Sequence, residues 1–109
     1  VSRVVPGRPP EVVYTGFTDL IDLDFGPDGS LYVLQHATGP FHSGNGALIR
    51  IAPDGTRTTI EAEGLTLNKP TSVLVGRDGA IYVSNRGIFA GVSEVVRITL
   101  GEAGLAGVA

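Results

Sequence analysis

Residues 26–33 read Gly26-Pro27-Asp28-Gly29-Ser30-Leu31-Tyr32-Val33, and the pattern returns at 76–83 as Gly76-Arg77-Asp78-Gly79-Ala80-Ile81-Tyr82-Val83. In each copy an Asp-Gly pair stands between short runs rich in apolar and β-branched residues. That arrangement predicts strand, tight turn, strand. Glycine supplies the positive φ that such a turn needs, and aspartate accepts hydrogen bonds from its own turn backbone. A related turn, Pro53-Asp54-Gly55, lies between the two copies.

Working outward, three further runs align: Val1-Ser2-Arg3-Val4-Val5-Pro6, Leu48-Ile49-Arg50-Ile51-Ala52-Pro53 and Val95-Val96-Arg97-Ile98-Thr99. Their arginines recur every 47 residues, whereas the Asp-Gly copies recur every 50. Unequal loops account for the difference: residues 36–46 form a long one and 86–93 a shorter one. Strands are predicted over Val1–Val5, Glu11–Thr15, Ile21–Phe25, Leu31–Leu34, Ala47–Ile51, Arg57–Ile60, Ser72–Val75, Ala80–Ser84 and Glu94–Thr99. No helix is predicted. The Gly/Ala-rich residues 101–109 carry no strand signal and read as a flexible tail.

The expected fold class is all-β. A repeat of 47 to 50 residues with four short antiparallel strands points to β-propeller blades. The divisions are 1–19, the two end strands of a preceding blade; 20–64, a blade; 65–100, a blade lacking its outer strand; and 101–109, the tail. A blade is apolar on both faces and needs a neighbour on each side, and known rings hold at least four blades. Two blades cannot close a ring, so the chain is expected either to be cut from a larger propeller or to complete one by self-association, with three copies giving six blades.

The 109 residues carry a net charge of −3, with 16 Gly and 7 Pro, which suits short strands and frequent turns. No basic stripe favours nucleic acid, and no apolar run is long enough to form a membrane-spanning helix. Cysteine is absent, which excludes disulfides and thiolate chemistry. The chain opens at Val1 without a leader pattern, as a processed protein or a section of a longer one would.

The string GFTDLIDLDFGPDGSLYVLQHA, followed by GALIRIAPDGTRTTI, PTSVLVGRDGAIYVSNRG and SEVVRITL, resembles the C-terminal part of the ScyD/ScyE family. These are six-bladed propellers related to the NHL-repeat and SMP-30/gluconolactonase-like group. The resemblance covers residues 1 to about 100 and implies a longer parent and an extracytoplasmic address. The founding members are linked to cyanobacterial scytonemin synthesis, and many relatives have no assigned activity. In the metal-dependent lactonases of the wider group, pore-side carboxylates and Asn hold a divalent ion. On that model Asp22 and Asn85 are the metal candidates, and calcium is the ion.

Against this, the residues themselves favour structure. No Asp-Gly turn has the density of oxygens that a calcium loop requires. Gln35 and Asn85 end equivalent strands, where amides can tie down loop backbone. Asp22 and Asp24 share one strand face and need a partner or a wet channel. His36 and His42 flank a Gly-Pro loop without a third zinc ligand. No Ser/His/Asp set or G-x-S-x-G elbow is present, so no catalytic residue is assigned. Phe41, His42 and Phe89 lie in corresponding loops and are the candidate contact residues for a protein or small-molecule ligand. Arg3, Arg50 and Arg97 repeat and therefore read as scaffold. The function expected is a non-enzymatic scaffold or interaction module. A metal-dependent hydrolase is the alternative.

Overall fold

A computed structural model of the chain describes residues 1–100 and, as backbone, the strand at 106–108. The chain is all-β, as expected, with strands in three antiparallel sheets. Strands β1 (Ser2–Arg3) and β2 (Glu11–Val12) pair as a ribbon. Strands β3 (Leu20–Phe25), β4 (Leu31–Gln35), β5 (Ala47–Ile51) and β6 (Arg57–Thr59) form an up-and-down sheet in chain order. Strands β7 (Ser72–Val75), β8 (Ile81–Asn85), β9 (Glu94–Leu100) and β10 (Ala106–Val108) form a second.

The three Asp-Gly turns are closed alike. Gly26 N–H donates to Ser30 O at 2.8 Å, Ala52 N–H to Thr56 O at 2.8 Å, and Gly76 N–H to Ala80 O at 2.8 Å. The glycines at Gly29, Gly55 and Gly79 hold φ of 85°, 90° and 84°, a region other residues enter only with strain. Each aspartate locks its turn from the side: Asp28, Asp54 and Asp78 accept the N–H of Ser30, Thr56 and Ala80. Two arginines of the repeat act within their own sheets. Arg50 reaches the turn carboxylate of its own sheet, Asp28, at 2.8 Å, and Arg97 approaches Asp78 at 3.7 Å. Arg50 also lies directly across from buried Tyr32, whose hydroxyl pKa is pushed up by that burial.

Period-two alternation gives each sheet two faces. On one face of the first sheet, Tyr32, Leu34 and Leu48 meet Val73, Ile81, Val83 and Ile98 of the second sheet. On the other face, Leu31, Val33 and Ile51 are covered by Val1, Tyr14 and Phe17 around the ribbon. The Arg57 guanidinium stands 4.4 Å from the centre of the Phe17 ring, which ties that segment to β6. Strand β4 is buried at every position, whereas β8 is buried only at alternate ones. The second sheet is thus covered on one side only.

Three expectations are corrected. The end strands are shorter than Val1–Val5 and Glu11–Thr15, because the Pro6, Pro9 and Pro10 segment between them cannot donate to a ladder. The second sheet does not lack its outer strand. Ala106–Val108 pairs with Thr99 and its neighbours on β9, because a free strand edge recruits backbone whatever its side chains. The expected flexible tail otherwise falls at 101–105 and 109, outside the described residues. The loop after β4 contains a single 3₁₀ turn, Pro40–His42, started by proline at its head.

The turn lock has a pH signature. The Ser30 backbone N–H, followed by the Arg50 guanidinium, holds the Asp28 carboxyl below the ordinary range. Its stabilising effect is therefore fully present above the unfolded value near about 3.9 and is lost as pH falls through the lower folded value. Asp28→Asn should cost under about 1 kcal/mol near neutral pH, since Asp28 is half exposed. The difference from wild type in urea unfolding should begin to shrink as pH falls below about 3.9 and vanish once pH has passed the lower folded value.

Candidate functional site

The two sheets meet along their first strands, β3 and β7, where carboxylates bridge the strand edges beside the apolar contact. Asp22 and Asp24 project from the same face of β3. Asp22 Oδ2 accepts the Val73 N–H at 2.8 Å, and Asp24 Oδ2 accepts the Val75 N–H at 2.7 Å. The other oxygen of each turns back to its own strand, where Oδ1 accepts the N–H of Leu23 and of Phe25, both at 2.9 Å. Each carboxylate therefore bridges two strand edges whose donors lack ladder partners. Both residues are half-buried, which a carboxylate tolerates when its oxygens accept such bonds. The equivalent positions on β7 are Ser72 and Leu74, so the second sheet carries no matching clasp. Ser72 instead donates its hydroxyl to Ser84.

At the end of the sheets where β3 and β7 begin, the strand-end amides hold the incoming linkers. Gln35 Oε1 accepts the Thr18 N–H at 2.9 Å, and Asn85 Oδ1 accepts the Asn68 N–H at 2.8 Å. Asn85 is almost fully buried, and its amide donates to Thr66 O and Glu94 Oε1. The hydrogen bonds of Asp22 run to strand-edge backbone, and those of Asn85 to linker backbone and the Glu94 carboxylate. No group of three or more His, Asp or Glu side chains able to hold a metal occurs among the described residues.

The same end carries the loop after β4. His36 Nδ1 donates to Pro70 O at 2.9 Å, and His42 Nδ1 donates to Asp19 Oδ2 at 2.7 Å. The two rings stand 6.3 Å apart in a T-shape. Lys69 Nζ reaches Gly44 O at 2.7 Å, so both linkers brace the loop. Phe41 and His42 occupy the left-handed region, with φ of 55° and 61°. Phe41 is 99% exposed, whereas Phe89 in the corresponding loop is 40% exposed. No bond joins the two rings, which stay separate features of one surface. Gly46 closes the loop: a Cβ there would collide with the Pro70 ring and lie 2.7 Å from Gln35 O. An open cleft of about 320 Å³ beside it, lined by Asn45, Thr59, Glu61 and Thr66 among others, holds one carboxylate and no base partner.

The strained Phe41-His42 pair and the bracing by Asp19, Pro70 and Lys69 are features that sequence reading missed. Only the shared position of Asp19 and Lys69, each just ahead of an inner strand, hinted at them. No protein-family model, curated protein or solved structure matches the chain.

Two outcomes follow from this geometry. Asp22→Ala removes the acceptor of the Leu23 and Val73 donors and should cost about 1–3 kcal/mol. Amide exchange should accelerate at Val73 and leave Ile49, in the covered β5, unchanged. Phe41→Gly loses no packing and relieves a left-handed residue worth roughly 1 kcal/mol, so urea unfolding should show equal or slightly higher stability.

Proposed function

We propose that the chain is a two-blade section of a β-propeller, as its resemblance to the ScyD/ScyE family implies, and that it works as a non-enzymatic scaffold and interaction module. The observation that carries this reading is the employment of Asp22 and Asp24. The acids best placed for metal or acid–base chemistry spend their oxygens on backbone N–H groups of the adjoining sheet. On this reading each four-stranded sheet is one blade, with β3 and β7 as inner strands, and the ribbon is the outer half of a preceding blade.

The contact surface is the loop end around Phe41, His42 and Phe89. Phe41 is held out in solvent by a braced loop at a cost in backbone strain, a geometry that suits a protein or small-molecule ligand. With a net charge of −3 and no basic stripe, nucleic acid is a poor partner. Among the described residues no helix is long and apolar enough to cross a membrane.

The open face of the second blade exposes Leu74 and Val95, at 61% and 71%, and is a joining surface for self-association. Three copies would complete six blades. The ribbon, however, covers the outer half of the opposite face, so such a ring requires it to give way. A native mass of three chains by light scattering supports the ring, and a clean monomer excludes it.

The rival reading is a metal-dependent lactonase-like hydrolase, with Asp22 and Asn85 near a pore-side calcium ion. Both residues would have to give up bonds they now make. Calorimetric titration of the full chain with calcium should show no saturable binding. Tight binding that is lost in Asp22→Ala would overturn the scaffold reading in favour of the hydrolase.

A further inference from the structure

Three features at the amino-terminal end of the molecule share one cause. Strand β1 pairs with β2 on one edge, and its other edge has no partner strand among the described residues. On the ribbon side of the first sheet, the part over β4 and β5 is covered, with Leu31 at 4%, Val33 at 0% and Ile51 at 1% exposure. The part over β3 is not: Ile21, Leu23 and Phe25 are 44%, 42% and 63% exposed. Leu23 and Phe25 lie directly across from Val33 and Leu31, so covered and uncovered residues belong to one continuous face. Finally, Arg3 stands where Arg50 and Arg97 stand in the repeat. Those two reach the turn aspartate of their own sheet, whereas Arg3 has no carboxylate partner among the described residues.

We infer that this face is the docking site for a two-stranded β-hairpin with a Gly-x-Asp-Gly turn, supplied from outside residues 1–109. The inference rests on the propeller reading and names the partner that reading leaves open. The clasped junction between the two blades supplies the template. There, the hairpin β3–β4 lays Tyr32 and Leu34 against the second sheet, and its turn aspartate pairs with the arginine of β5. An incoming hairpin placed likewise satisfies every open group together. Its second strand hydrogen-bonds along the free edge of β1. Its apolar face covers Ile21, Leu23 and Phe25, and its turn carboxylate reaches Arg3. A whole second copy fits less well, because the outer half of its four-stranded sheet would need the place that β1 and β2 already fill.

The chain itself provides the probe. Residues 19–36, prepared as a cyclised peptide to offset the marginal stability of a lone hairpin, carry the matching face and turn. Added to isotopically labelled full chain, the peptide should bind at one to one, with amide shifts at Ser2, Arg3 and residues 21–25. Arg3→Gln in the chain, or Asp28→Asn in the peptide, should weaken binding about fivefold, the weight of a part-exposed ion pair. Phe25→Ser should weaken it tenfold or more. Both chain positions are exposed, so a retained amide spectrum shows that these variants remain folded. Absence of saturable binding up to millimolar peptide overturns the inference, as do shifts confined to Leu74 and Val95. Self-association of the chain that Phe25→Ser abolishes overturns it too, making a second copy the occupant. The calcium titration separates the scaffold from the hydrolase, both of them propellers, so its outcome and that of the peptide experiment are independent.

Discussion

The whole arrangement depends on two carboxylates that join the facing edge strands, β3 and β7, of neighbouring sheets. Apolar contact supplies more of the adhesion. Each fully buried aliphatic side chain between the sheets contributes roughly 1.5–3 kcal/mol, against about 1–2 for each clasp hydrogen bond. Hydrophobic contact is non-directional, however, and two flat faces of Val, Leu and Ile can slide past one another. Asp22 and Asp24 remove that freedom. Spaced two residues apart, they meet donors also spaced two apart, at Val73 and Val75. A slip by one residue would offer them positions whose N–H groups point to the partner strand instead. Packing brings the sheets together, and the clasp sets their register.

The clasp also makes the repeat unequal in a way that determines which surfaces remain open. Position by position, Asp22, Asp24 and Leu34 become Ser72, Leu74 and Ser84 in the second copy. The first sheet therefore presents acids and an apolar Leu to its neighbour. The second presents two hydroxyls bonded to each other and an exposed Leu. One junction of the chain is clasped, and the corresponding face of the second sheet stands open, with Leu74 and Val95 exposed beside the hydroxyl pair. Each sheet is closed internally by the same turn, aspartate lock and arginine.

Much of this was legible in the sequence because it follows from local rules. The Asp-Gly turns declared themselves through residue chemistry, and alternation identified the strands they join. The equivalence of Gln35 with Asn85 followed from the fifty-residue offset, and each amide holds the linker that enters the first strand of its own sheet. What was not legible depends on distant partners. Nothing near Asp22 names Val73, fifty-one residues away, as its donor, so a pore lining stood open beside a structural role. Strand β10 was hidden for the opposite reason. Its Ala-Gly-Val composition carries little strand preference, and it is the edge of β9 that recruits it. The left-handed Phe41-His42 pair was invisible because neither residue prefers that conformation. The bracing from Asp19, Pro70 and Lys69 imposes it.

That bracing bears on what the molecule can do. A left-handed phenylalanine is disfavoured, and a phenylalanine at 99% exposure gains nothing from packing. Folding stability alone would favour glycine at position 41. Phenylalanine there, in a loop whose histidines and hydroxyls are committed to backbone or to Asp19, separates the costs of this surface from the needs of the fold. The Asp22 and Asp24 clasp is the reverse case, in which groups able to perform chemistry serve packing alone. Chemistry-bearing residues are therefore spent on structure, while a structurally costly residue faces solvent. On the proposed scaffold reading that distribution of costs suits a contact surface, whereas a catalytic site gathers strain and unpaired charge at one reacting centre.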